Sequence, residues 1–116
     1  MKFDKIKSYA KINLALNVIG KTHHLHTIES LISFVDLHDI IMIKKIKSRS
    51  HHISFNGRFS KSIPKKNTIS CLLEILEKKN LLKNNKFKIK VTKKIPAKAG
   101  LGGGSMNAAN ILKYLI

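Results

Sequence analysis

From Lys11 to Val18 apolar and polar positions alternate: Ile12, Leu14, Leu16 and Val18 share one face, and Lys11, Asn13, Ala15 and Asn17 the other. A period of two is the signature of a half-buried strand. Gly20 and the polar run behind it mark a turn. A second strand is predicted over His26 to Val35 and a third over Ile40 to Ile46, with Asp36-Leu37-His38-Asp39 turning between them. His52 to Asn56 reads as a short strand, closed by Gly57 and a loop through Pro64.

The period then changes. Ile69, Leu72, Leu73 and Leu76 fall at i, i+3, i+4 and i+7, so a helix is predicted, capped by Asn67 or Thr68 and ending near Asn80 or Leu82. Phe87, Ile89 and Val91 alternate with Lys86, Lys88 and Lys90, which predicts another half-buried strand. It runs into the glycine-rich stretch from Pro96 to Ser105. Ala108, Ile111, Leu112 and Leu115 resume helical spacing without a Gly, Asn or Pro stop signal after Tyr114. The expectation is the front part of a longer protein.

Composition narrows the class. At 116 residues and 43% hydrophobic, the chain is one domain or part of one and can bury a core. The single cysteine, Cys71, excludes an internal disulfide and a Cys-based zinc cluster. Three histidines at 23, 24 and 26, with no cysteine close by in sequence, make only a weak case for a metal site. No stretch approaches the ~20 apolar residues of a membrane span, and the start lacks the apolar run of a signal peptide. The expected location is the cytoplasm.

A net charge of +17 is the footprint of a nucleic-acid binder. Of the 23 basic residues, however, only Arg49 and Arg58 are arginines, the side chain whose planar fork reads phosphates and bases. The lysines are scattered and rise together with isoleucine and asparagine, as codon bias produces. Nucleic acid is therefore the weaker reading, kept as an alternative: a basic RNA-binding module.

The stretch from 86 to 116 carries the most specific chemistry. Gly100, Gly102, Gly103 and Gly104 let backbone approach a ligand where a Cβ would obstruct it. A helix follows at once, so its free N–H groups and positive dipole end face whatever the loop holds. That describes an anion site, most naturally for polyphosphate, to which Ser105 adds a hydroxyl for phosphate or magnesium. It is not a P-loop, because Met106 follows Ser105 and no lysine follows the last glycine. Nor is it the dinucleotide fingerprint, because Ser105 stands where the third glycine belongs.

Tyr9-Ala10-Lys11-Ile12-Asn13-Leu14 and the run from Pro96 to Ala109, PAKAGLGGGSMNAA, resemble the first two motifs of the GHMP small-molecule kinases. The spacing from Lys11 to His26 and on to Asp36-Leu37-His38-Asp39 is most similar to the members acting on 4-diphosphocytidyl-2-C-methyl-D-erythritol in non-mevalonate isoprenoid synthesis. The resemblance implies an α+β fold: the two-layer GHMP N-terminal domain, shared in topology with a ribosomal-protein domain, here spanning 1–116 and lacking its C-terminal partner domain.

The resemblance also implies ATP and Mg2+ as cofactors and a cytidyl-diphosphate substrate. Lys11 matches the active-site lysine. Pro96, Ala97, Lys98, Ala99, Gly100, Leu101, Gly102, Gly103, Gly104, Ser105 and Met106 match the ATP-phosphate loop, with Asn107 following it. Asn67 matches a position beside the adenine, Asn13 and His26 positions facing the cytidyl substrate, and Ser105 a contact to magnesium carried by ATP.

Two residues depart from the family pattern. Leu25 stands where an aromatic would stack on the cytosine, and Met106 replaces a second serine. A GHMP kinase for another small alcohol is the alternative that Leu25 keeps open. No acidic residue follows Glu77, so the aspartate that takes the hydroxyl proton in the family is missing from these 116 residues. The expectation is that this chain alone is inactive.

Overall fold

The computed structural model describes residues 2–10, 36–61, 63–95 and 103–116. They form β1 (Asp4–Tyr9), β2 (His38–Ile46), β3 (His52–Asn56), α1 (Thr68–Lys78), β4 (Lys86–Thr92) and α2 (Gly103–Leu115). The strands make one mixed sheet in the order β1-β2-β4-β3, with β1–β2 and β2–β4 antiparallel and β3–β4 parallel. A parallel neighbour requires a crossover between the strands, and α1 supplies it.

Register sorts the side chains. Ile6, Ile41, Val91 and Phe55 lie in one row across the sheet, and Ile43, Ile89 and Ile53 in the next. These rows face the helices, where Ile69, Leu73, Leu76 and Ile111 complete a buried core. The other face carries Lys5, Lys7, Lys44, Lys88 and Lys90, and the ammonium groups of Lys44 and Lys90 lie 4.5 and 5.0 Å from the Phe3 ring centroid. The result is the expected α+β, two-layer arrangement.

Local chemistry fixes the boundaries. Asn67 caps α1: its Oδ1 accepts from the N–H groups of Ile69 and Ser70, while Ser70 Oγ accepts from Asn67 N–H. The helix ends at Lys78, two residues before the earlier of the expected ends. Asn80 adopts φ 55°, its N–H donates to Glu77 O, and Leu81 N–H donates to Leu76 O, an asparagine-terminated Schellman motif. His51 ties this region to the sheet: its Nδ1 accepts from Phe87 N–H at 3.0 Å, and its Nε2 lies 2.9 Å from Glu77 Oε1. α2 is held over β1 by Asn110, whose amide donates to Ser8 Oγ at 3.0 Å, and by the Tyr114 hydroxyl, which donates to the Asp4 carboxylate.

Two strand expectations need correction. β1 at 4–9 precedes the region where alternation begins, because its inward positions, Ile6 and Ser8, include a buried hydroxyl that hides the pattern. The turn over 36–39 is not one throughout: His38 and Asp39 already belong to β2. The strands expected over 11–18 and 26–35 lie outside the described residues.

Ile89 is fully buried, with Ile43 and Ile53 directly across from it on the two neighbouring strands. Ile89→Ala should cost about 2–5 kcal/mol, a large share of a small domain's stability. Urea unfolding should show a lower midpoint at unchanged slope; an unmoved midpoint would mean that these rows are not the core.

Candidate functional site

The core face of the sheet turns polar at one end. Continuing the rows past Ile41 and Val91 brings Ser8 and Asp39 opposite each other, with Lys93 just beyond the end of β4. Ser8 and Asp39 are 0% exposed and Lys93 is 4% exposed, so the switch from apolar to charged happens inside the protein. Gly57 closes the row on the β3 side at φ 96°. A Cβ there would stand 2.7 Å from Lys93 O, so both the backbone angle and the space require glycine.

Asp39 is the hub. Its Oδ2 accepts from Lys93 Nζ at 2.5 Å and from Asn107 Nδ2 at 2.9 Å. Its Oδ1 accepts from the N–H groups of Lys94 at 2.6 Å and Ile95 at 2.9 Å. Burial pushes the carboxyl up, but the hydrogen bonds from Lys93, Asn107, Ile95 and Lys94 outweigh it and hold the group below its ordinary value. A buried carboxylate with four donors is satisfied. It joins the end of β4, immediately before the glycine-rich stretch, to the second turn of α2.

Beside this hub lies a cavity of about 150 Å³ lined by Phe55, Ile63, Asn67, Thr68, Ile69, Lys93, Gly104 and Asn107. The N-terminus of α1 enters it through Asn67 and Thr68, and that of α2 through Gly104. Thr68 Oγ1 links them by donating to Gly104 O at 3.4 Å. Neither helix has an acidic residue in its first turn. Two positive helix ends thus converge on one opening with no carboxylate of their own to neutralise them. At 150 Å³ the cavity is smaller than the 300–1,000 Å³ of a whole small-molecule site, which fits one ring system of a larger ligand. Asn107, 1% exposed, contributes a buried Oδ1 with no partner among the described residues.

The expected site residues divide into three groups. Lys11, Asn13, His26 and the loop residues from Pro96 to Gly102 lie outside the described residues. Gly103, Gly104, Ser105, Met106 and Asn107 open α2, with Gly104 and Ser105 exposed, Met106 half-buried and Asn107 buried. Asn67 lines the cavity, but its amide is engaged at both ends, since Nδ2 donates to the carbonyls of Pro64 and Lys65.

Asp39 and Lys93 were not expected at the site. The signal was present as phase: Asp39 is in step with Ile41 and Ile43, and Lys93 with Phe87, Ile89 and Val91. Among the described residues no three His, Cys, Asp or Glu side chains gather into a metal set, and no helix is long and apolar enough to cross a membrane.

A carboxyl lowered by folding contributes stability that is fully present above its unfolded value, about 3.9, and lost as pH falls through the folded value. Stability should therefore fall below about pH 4. The double substitution Asp39→Asn, Lys93→Met should remove part of that acid limb in pH-dependent urea melts. An identical limb in the double variant would show that Asp39 is not held low.

Comparison with known proteins follows the same geography. Residues 67–116, from the α1 cap to the end of α2, match the model of the GHMP kinases N terminal domain. The chain is 66% identical over 97% of its length to a 4-diphosphocytidyl-2-C-methyl-D-erythritol kinase of Pelagibacter ubique (strain HTCC1062), of which it covers 40%. It is 38% identical over 96% of its length to the protein of that name in Finegoldia magna, again covering 40%. Among solved structures, the homoserine kinase of Cytophaga hutchinsonii superposes with a TM-score of 0.52 at 25% identity, over 67% of this chain and 26% of that one. The chain thus spans about 40% of the length of the curated relatives it matches.

Proposed function

We propose that this chain, which belongs to the GHMP kinases, is the N-terminal, ATP-binding domain of a kinase. That kinase passes the γ-phosphate of ATP to the 2-hydroxyl of 4-diphosphocytidyl-2-C-methyl-D-erythritol. The observation that carries the nucleotide half of this reading is the cavity where two uncompensated helix N-termini meet beside the orphaned Asn107 Oδ1. The substrate half rests on the likeness to relatives bearing that name.

In this reading the base enters the cavity between Phe55, Asn67 and Asn107. The triphosphate lies along the glycine-rich stretch from Pro96 to Gly104, stabilised by N–H groups at the start of α2. Asn67 serves as a wall and keeps the N-terminus of α1 in place. Magnesium suits a site where, among the described residues, no carboxylates cluster, because it keeps several waters and binds largely through the phosphates. Ser105 would hold it together with ATP, and the ion would supply charge neutralisation at the transferring group. Lys11 would orient and polarise the reacting hydroxyl, and Asn13 and His26 would face the cytidyl substrate. Phosphoryl transfer asks the protein mainly for positioning and charge stabilisation. The rest of the cleft would come from the part of the relatives that this chain does not cover, and the site of action would be the cytoplasm.

Mg-ATP should raise the melting temperature saturably. Ligand at about 100 times Kd adds about 2.7 kcal/mol, a shift of several degrees. A Cβ at Gly104 would lie 3.3 Å from Thr68 Oγ1, so Gly104→Val should crowd the opening and abolish the shift. Identical melting with and without Mg-ATP would overturn the reading.

A further inference from the structure

We infer that Asp39 is a positioning residue that fixes which end of the Asn107 amide the cavity meets, making the cavity an acceptor site selective for a nucleobase edge with an amino donor. The inference deepens the nucleotide reading above and rests on it.

The argument begins with valence. An ionised carboxylate has no proton to donate and can only accept hydrogen bonds. The hydrogen bonds around Asp39 hold it in the ionised form, and its Oδ2 lies 2.9 Å from the Asn107 amide. The end of the amide against Asp39 must then be Nδ2; turning the amide over would set oxygen against oxygen inside the protein. The choice between two otherwise similar amide orientations is thus made by Asp39. The same carboxylate also pairs with Lys93, so the one ammonium that lines the cavity among the described residues is already engaged and does not compete for a ligand.

What remains is Oδ1. It is buried and lacks a partner among the described residues, while Asn107 lines the cavity. A buried acceptor left unmade is costly, so a ligand group that donates to it is favoured and one that presents a lone pair is rejected. Among the hydrogen-bonding side chains that line the cavity, Asn67 cannot answer it, because its amide is engaged with the α1 cap and with Pro64 and Lys65. Thr68 Oγ1 donates to Gly104 O. The adenine edge, with its exocyclic amine, fits this polarity.

The test compares ATP with purine riboside triphosphate, which is ATP without its exocyclic amine, and with ITP, which carries a carbonyl in its place. Binding is measured by titration calorimetry with magnesium present. For the unaltered protein, loss of the amine should weaken binding roughly 10- to 100-fold. Asn107→Ala should weaken ATP while bringing the three ligands to similar affinity. Asp39→Asn should let the Asn107 amide turn over, so the preference for ATP over ITP should shrink while triphosphate binding persists. If Asp39→Asn fails to fold because Lys93 is left buried and unpaired, Asp39→Asn with Lys93→Met removes the unpaired cation and tests the same point.

Equal affinity for ATP and purine riboside triphosphate in the unaltered protein would overturn the inference while leaving the nucleotide reading intact. An unchanged ATP preference in folded Asp39 variants would also overturn it. No saturable binding of any of the three would instead overturn the nucleotide reading. A merely structural Asp39 would change all three affinities together, whereas the inference requires their ratio to move.

Discussion

A buried carboxylate with four donors holds one end of this protein together. Asp39 is reached from the end of β4 through Lys93, Lys94 and Ile95, and from α2 through Asn107. Removing one partner of such a buried pair typically costs about 3–5 kcal/mol, because the other charge is left without water or a counterion. The backbone that leads into the glycine-rich stretch and the helix that follows it are therefore referred to one point. Placing the start of α2 against the start of α1 depends on that point.

The arrangement separates two tasks. The apolar rows from Ile6 to Phe55 and from Ile43 to Ile53 bury the sheet under the helices, and they stop where the polar row begins. Beyond that boundary the interior is organised by hydrogen bonds, which fix angles as well as distances. A cavity walled by two helix starts, an aromatic ring and an oriented amide can discriminate by direction, which an apolar pocket of the same size cannot.

Much of this was legible in the chain. The alternation of Phe87, Ile89 and Val91, the spacing of Ile69, Leu73 and Leu76, and the capping asparagine at 67 each have a local cause, so each was readable from neighbours alone. β1 was not, because its Ser8 faces inward to meet Asn110, a partner 102 residues away. Asp39 escaped for the same reason. Beside Asp36 and His38 it reads as part of a polar turn, and only Lys93 and Asn107, 54 and 68 residues further on, make its burial possible. The glycine stretch announced anion chemistry, but the adjoining cavity draws on Phe55, Thr68 and Lys93, which share no motif.

The lysine-bearing face of the sheet has a colloidal consequence. Lys44 stands directly across from Lys88, and Lys5, Lys7 and Lys90 share their side, whereas Asp4, Asp39, Glu74 and Glu77 make their contacts with the helices, the β4 end and the His51 cluster. Two copies meeting through that face bring like charges together at close range, and stacking of sheet on sheet is refused before any backbone can pair. That refusal is electrostatic. It therefore weakens as the Debye length contracts from about 10 Å at 0.1 M salt to about 3 Å at 1 M, which makes dilute buffer the medium in which this chain best keeps to itself.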